Sequence, residues 1–110
     1  MANAKFGRVI TAMITPFTAD GEVDYEGAVT LAKHLVEHGS EGILVGGTTG
    51  EGATMTADEK LKLYAAVVNA VGRNASGKKV PVMGNLGGIS TTESIAFAKK
   101  AVETGIDSGL

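Results

Sequence analysis

Three helix-ending glycines, Gly39, Gly72 and Gly105, recur at intervals of 33 residues, and each closes the same succession of apolar run, polar loop and amphipathic stretch. A 33-residue period also belongs to ankyrin arrays, but the Thr-Pro-Leu-His signature of those repeats is missing and every unit here contains an apolar, strand-like run. Alternation of strand and helix restricts the chain to an α/β architecture, because strands joined through a helix lie parallel and their crossovers are right-handed.

The first unit opens with Val9–Ile14, a β-branched and apolar run that predicts a strand and ends at Thr15-Pro16, where proline has no N–H for a sheet ladder. Asp20-Gly21 supplies a turn. Asp24 is placed to cap a helix whose apolar positions Ala28, Leu31, Ala32, Leu35 and Val36 share one face, and Gly39 ends it in the left-handed conformation. The second unit predicts a strand at Gly42–Val45, a glycine-threonine loop, and a helix opened by the capping box Thr56-Ala57-Asp58-Glu59, with Leu61, Tyr64, Val68 and Val71 as its apolar stripe. The polar stretch 73–79 is a surface loop. Val80–Gly84 predicts the third strand, with Pro81 at its entrance, followed by the loop Asn85-Leu86-Gly87-Gly88-Ile89 and a second capping box, Ser90-Thr91-Thr92-Glu93. Ile95, Ala98, Ala101 and Val102 form the expected inner face of the third helix, and 106–110 reads as the entry to a fourth strand that is not completed.

Chemistry concentrates in Gly46-Gly47-Thr48-Thr49-Gly50-Glu51-Gly52, directly after the second strand. The carboxyl end of parallel strands is where ligands bind in barrels and open α/β sheets. Glycines there let a ligand approach backbone N–H groups, and the hydroxyls of Thr48 and Thr49 can donate or relay protons. Taken alone, the same residues also make an ordinary tight turn from strand to helix. Nucleotide signatures are absent: there is no Gly-Lys-Ser/Thr, and no Gly-x-Gly-x-x-Gly follows the first strand.

With 44% hydrophobic and 20% charged residues, the composition is that of a folded globular chain and not a disordered one. A net charge of −2 and no basic block longer than Lys78-Lys79 or Lys99-Lys100 leave no footprint for nucleic acid. No apolar run approaches the roughly 18 residues of a membrane span, and the first residues lack a signal-peptide core, so the default location is cytoplasmic. The absence of cysteine excludes disulfides and thiolate chemistry. His34 and His38, four apart on one helix, lack the His-Glu-x-x-His arrangement and read as a solvated helix end, so no metal site is expected.

Four stretches, Thr11-Ala12-Met13-Ile14-Thr15-Pro16-Phe17, Asp20-Gly21-Glu22-Val23-Asp24, Gly47-Thr48-Thr49-Gly50-Glu51 and Val80-Pro81-Val82-Met83-Gly84, give the chain from about Gly7 onward its family character. On them it resembles the dihydrodipicolinate synthase and N-acetylneuraminate lyase family, the class I pyruvate-dependent aldolases, and Thr48-Thr49 in place of Ser-Thr is similar to the synthase branch. The resemblance implies a (β/α)8 TIM barrel of which residues 1–110 are the N-terminal part, three βα units and the start of a fourth strand, ending before the strand that carries the catalytic lysine. It implies a lyase of lysine biosynthesis that holds pyruvate as a Schiff base on that lysine and condenses it with an aldehyde, L-aspartate 4-semialdehyde in the synthase branch. No cofactor is implied, and the family forms homo-oligomers, dimers or tetramers.

By the same resemblance, Thr49 with its backbone N–H grips the pyruvate carboxylate, and Thr48 is catalytic, passing protons between two tyrosines of which one comes from a neighbouring subunit. Gly47 and Gly50 let the backbone approach, Thr15 with Pro16 shapes the floor near the lysine, and Glu51 holds the loop more than it reacts. The chain's own lysines, Lys5, Lys33, Lys60, Lys62, Lys78, Lys79, Lys99 and Lys100, fall in the terminus, helices and loops. None lies in an apolar strand, where burial would lower its pKa and make it a ready nucleophile. Tyr25 and Tyr64 read as packing residues. The fragment is therefore expected to be inactive by itself, and its open strand edges make it marginally stable, aggregating or oligomeric.

Two other functions fit the same residues: a non-catalytic βα piece that holds a small anion in the backbone nests at 46–52 and 84–88, and another pyruvate aldolase of the family. Three departures from the family pattern stand out: Gly52 for serine, Asn85-Leu86 for a small Gly-Thr pair, and Ile89 where lysine-inhibited synthases carry an amide. The last argues against feedback inhibition by lysine, although Glu93 matches the acidic residue of those synthases.

Overall fold

The computed structural model describes residues 7–86 and 91–110; Lys5, Phe6, the expected cap at Ser90 and the Ile89 position lie outside the described residues. Four strands, β1 (Ile10–Ala12), β2 (Gly42–Val45), β3 (Val82–Gly84) and β4 (Ser108–Gly109), form one parallel sheet in the order β1-β2-β3-β4. The crossovers are α1 (Tyr25–Glu37), α2 (Ala57–Val71) and α3 (Thr91–Glu103).

Strand β2 occupies the predicted residues, whereas β1 and β3 are shorter than predicted. A ladder extends only as far as its partner: Met13 N–H still donates to the Leu44 carbonyl at 2.9 Å, but β2 ends at Val45 and leaves Ile14 no strand neighbour. Before β3, Pro81 has no N–H to give, and only its carbonyl takes part, accepting from Ile43 N–H at 3.0 Å. The start of a fourth strand expected at 106–110 is present as the two-residue β4: Met83 and Gly84 pair with Ser108 and Gly109, and Leu110 N–H donates to the Gly84 carbonyl at 2.9 Å.

The helix starts follow the sequence signals. Asp24 Oδ1 accepts from Gly27 N–H at 2.9 Å, and both halves of the capping box are made, Thr56 Oγ1 accepting from Glu59 N–H at 3.2 Å and Glu59 Oε1 from Thr56 N–H at 2.8 Å. Such caps satisfy orphan N–H groups and contribute about 1 kcal/mol each. Gly39 (φ +110) and Gly105 (φ +98) end α1 and α3 in the left-handed region.

Register and pleat sort the sheet into two faces. Thr11, Ile43 and Val82 lie side by side, as do Met13, Val45 and Gly84, and this side packs against the helices. The core there joins Met13, Ile43, Val45 and Val82 to Ala28, Ala32 and Val36 of α1 and to Leu63, Tyr64, Val67, Val68 and Val71 of α2. On the other face Ile10 and Ala12 are exposed and Leu44 and Met83 half-buried, and Gly47 of the loop after β2 approaches the Leu44 side chain. Parallel sheets are ordinarily covered on both faces, so this side is the one the rest of a barrel would enclose.

Two stripes differ from expectation. On α2 the buried set includes Leu63 and Val67, while Leu61 is only half-buried, because the helix is wedged among α1, α3 and β3 and buries a wider arc than one stripe. On α3 the contact with the core runs through Phe97 and Ala101, and Ile95 and Val102, expected to face inward, are 54% and 63% exposed. They lie on the flank of α3 turned away from α2.

Candidate functional site

Parallel strands bring all their carboxyl ends to one edge, where the segments after β1, β2 and β3 meet. The loop after β2 runs from Gly46 through a short 3-10 turn at Gly52–Thr54 before α2 begins. It is closed on itself by Glu51 N–H to the Thr48 carbonyl (3.1 Å) and Gly52 N–H to the Gly47 carbonyl (3.0 Å). Glu51, at φ +57, is the only non-glycine residue among those described in the left-handed region, a conformation that costs an L-residue free energy and collects at functional loops.

The four loop glycines have different reasons to be glycine. Gly46 (φ +72) faces the Tyr64 ring: an added Cβ would stand 2.8 Å from its Oη. At Gly50 a Cβ would meet the Met13 carbonyl oxygen at 2.8 Å, so the loop lies directly on the end of β1. At Gly52 a Cβ would run into the Gly46 carbonyl, which gives this chain's departure from serine a steric setting. Gly47 alone has no such constraint, since a Cβ there would make only an ordinary contact with Leu44 Cδ2 at 3.4 Å. It is nonetheless buried, close to Leu44 on the face of the sheet away from the helices.

Thr48 and Thr49 follow on the exposed crest of this loop, with their neighbours Gly47 and Gly50 buried. Thr15 behaves differently. It is 4% exposed, and its hydroxyl donates to the Gly50 carbonyl at 2.5 Å, so its proton is committed to tying β1's end to the loop. The structure thus brings Thr15, Gly47, Thr48, Thr49 and Gly50 together, with Thr15 beneath the loop and the two loop threonines on top.

The residue that sequence reasoning underestimated is Tyr64. It is fully buried, as a packing residue should be, yet its hydroxyl donates to the Asn85 carbonyl at 2.7 Å, linking α2 to the segment after β3. Burial pushes its phenol up to about 12, so it remains a donor at any physiological pH. Glycine at the mouths of two adjacent strands, Gly46 and Gly84, was the available sign that a bulky ring lies between them.

Each lysine among the described residues lies on a helix or in the 73–79 loop, and none is buried. Among the described residues no group of three His, Cys, Asp or Glu stands close enough to hold a metal ion, and no helix is long and apolar enough to cross a membrane. His34 and His38 stack at 4.1 Å on the exposed end of α1.

The profile of the dihydrodipicolinate synthetase family matches residues 5–110. A 4-hydroxy-tetrahydrodipicolinate synthase of Symbiobacterium thermophilum is 52% identical over 101 residues, which are 92% of this chain and 33% of the relative. One of a Cyanothece species is 50% identical over 105 residues, 96% of this chain and 34% of the relative. The chain spans about a third of the length of the curated relatives it matches. Among solved structures, the synthase of Cyanidioschyzon merolae with lysine bound superimposes with a TM-score of 0.89 at 46% identity, covering 97% of this chain and 35% of that one. The N-acetylneuraminate lyase of Proteus mirabilis does so at 0.83 with 32% identity, covering 96% and 34%.

Proposed function

The chain belongs to the dihydrodipicolinate synthetase family, and on that premise we propose that it supplies the first four strands of a (β/α)8 4-hydroxy-tetrahydrodipicolinate synthase, which joins pyruvate to L-aspartate 4-semialdehyde in lysine biosynthesis. The observation that carries this reading is the loop 46–50, laid over the open face at the carboxyl end of the sheet. Two threonines are exposed at its crest, and its Gly47 is not demanded by packing. Curated relatives at 47–52% identity carry the name 4-hydroxy-tetrahydrodipicolinate synthase, which favours the synthase branch, whereas identity to solved structures does not separate the branches, since synthases run from 46% down to 30% and a neuraminate lyase stands at 32%.

The reaction needs an electron sink. A lysine amine adds to the pyruvate ketone and loses water to give an iminium ion, which gives up a methyl proton to become the enamine that attacks the aldehyde carbon. In this scheme the backbone N–H and hydroxyl of Thr49 hold the carboxylate, and charge-assisted hydrogen bonds from a fixed loop cost no reorganisation during the reaction. Thr48 passes a proton between tyrosines supplied from elsewhere in a homo-oligomer, Gly47 lets substrate reach the backbone, and Thr15 holds the loop from below. The lysine also comes from elsewhere in the cytoplasmic enzyme, because burial is what would make one nucleophilic and no described lysine here is buried.

Titrating the isotopically labelled chain with pyruvate tests the reading. The Thr48 and Thr49 amide resonances are expected to move with pyruvate and less with phosphate; an equal response to both would favour a general anion nest. Incubation with pyruvate and borohydride is expected to leave the intact mass unchanged. A reduced pyruvyl adduct would place a reactive lysine on this chain and overturn the division of labour described above.

A further inference from the structure

Tyr64 leaves α2 and enters the carboxyl end of the sheet between two glycines. An added Cβ on Gly46 would stand 2.8 Å from its Oη and 3.0 Å from its Cε1, and one on Gly84 would stand 2.9 Å from its Cε2. The ring is therefore a wedge between the first residue after β2 and the last residue of β3. Phe97 of α3 meets it edge-on, with centroids 6.2 Å apart and planes at 73°, and holds it from the helix side. Its hydroxyl continues the contact by donating to the Asn85 carbonyl at 2.7 Å, and Asn85 N–H in turn donates to the Val45 carbonyl at 3.2 Å. The circuit closes on the residue that precedes Gly46.

We infer that Tyr64 is a positioning residue for the carboxylate-binding loop: the ring sets the separation of the segments after β2 and β3, and the hydroxyl fixes Asn85 in register with Val45. The inference rests on the pyruvate reading of that loop for its functional consequence. A ring without a hydroxyl would fill the same space but leave out the tie, so the two contributions separate in one substitution. Gly46 begins the loop at φ +72, and a small change in where it starts is carried directly to Thr48 and Thr49, two and three residues on.

Tyr64→Phe keeps the wedge and deletes the bond. In the labelled chain the expected result is displacement of the amide resonances of 46–50 and of Asn85 and Leu86, with the rest of the spectrum retained. The pyruvate dissociation constant read at Thr48 and Thr49 should rise roughly three- to tenfold, the share of one net hydrogen bond. Unmoved resonances at 46–50 overturn the inference. So does a variant that melts earlier but binds pyruvate as the parent does, since that is a structural role alone. If the parent chain does not respond to pyruvate, the displacement at 46–50 still decides the case of Tyr64, and it is the pyruvate reading that fails. Gly84→Ala, whose Cβ would press on the ring from the β3 side, is expected to displace the same loop amides; if it does not, the inference falls equally.

Discussion

A Gly50→Ala chain is expected to lose most of its pyruvate response together with about 1–3 kcal/mol of stability. The added methyl would stand 2.8 Å from the Met13 carbonyl oxygen, 3.1 Å from Thr15 Oγ1 and 3.3 Å from Gly46 N. Two of these are backbone atoms, and the third is a hydroxyl held by its own bond to the Gly50 carbonyl, so no flexible side chain can yield. The loop has to lift away from β1, which stretches the Thr15 bond and carries Thr48 and Thr49 with it. Chemical denaturation combined with a pyruvate titration separates the two effects. Affinity equal to the parent's would show that seating on β1 does not set the loop's geometry.

The largest loss of stability is expected from Ile43→Ala, about 2–5 kcal/mol from lost transfer energy and the cavity left behind. Ile43 is fully buried on β2, between Thr11 of β1 and Val82 of β3 and beneath the helices. Neighbours on both sides belong to a hydrogen-bonded sheet, so the site has little freedom to collapse. Small domains hold about 5–15 kcal/mol in all, and in a chain of this size each kcal/mol moves the thermal midpoint by roughly 4–8 °C. Thermal unfolding followed by circular dichroism checks the prediction. A shift below about 4 °C would mean that the core is not packed around this residue.

These two positions also show what the sequence makes legible. Ile43 sits in an apolar run bounded by glycines, and Gly50 in a loop that follows it, so the strand, the loop and their order were readable from pattern alone. Local signals of the same kind, Asp24 before α1 and Thr56 with Glu59 before α2, placed helix starts because the partner groups are three residues apart. What was not legible depends on partners far along the chain. The Thr15 hydroxyl is taken up by a carbonyl 35 residues away and the Tyr64 hydroxyl by one 21 residues away, and nothing in the neighbouring sequence marks either. Ile95 and Val102 were placed on the inner face of α3 because periodicity identifies an apolar set, while the neighbouring helix decides which part of it is covered. Strand β4, whose entry was readable at 106–110, is held by its pairing with β3.

The uncovered face of the sheet has a consequence for how such a chain is made. At about 5–20 residues per second, ribosomes deliver these 110 residues over roughly 6–22 s. The helix-backed side can be completed as α1 and α2 emerge, since its partners are neighbours in sequence. Ile10 and Ala12, the exposed apolar residues of the other face, gain no cover from those helices. A nascent chain with this surface is expected to offer apolar segments to chaperones, so its yield in a cell should depend on that encounter as well as on its folding free energy.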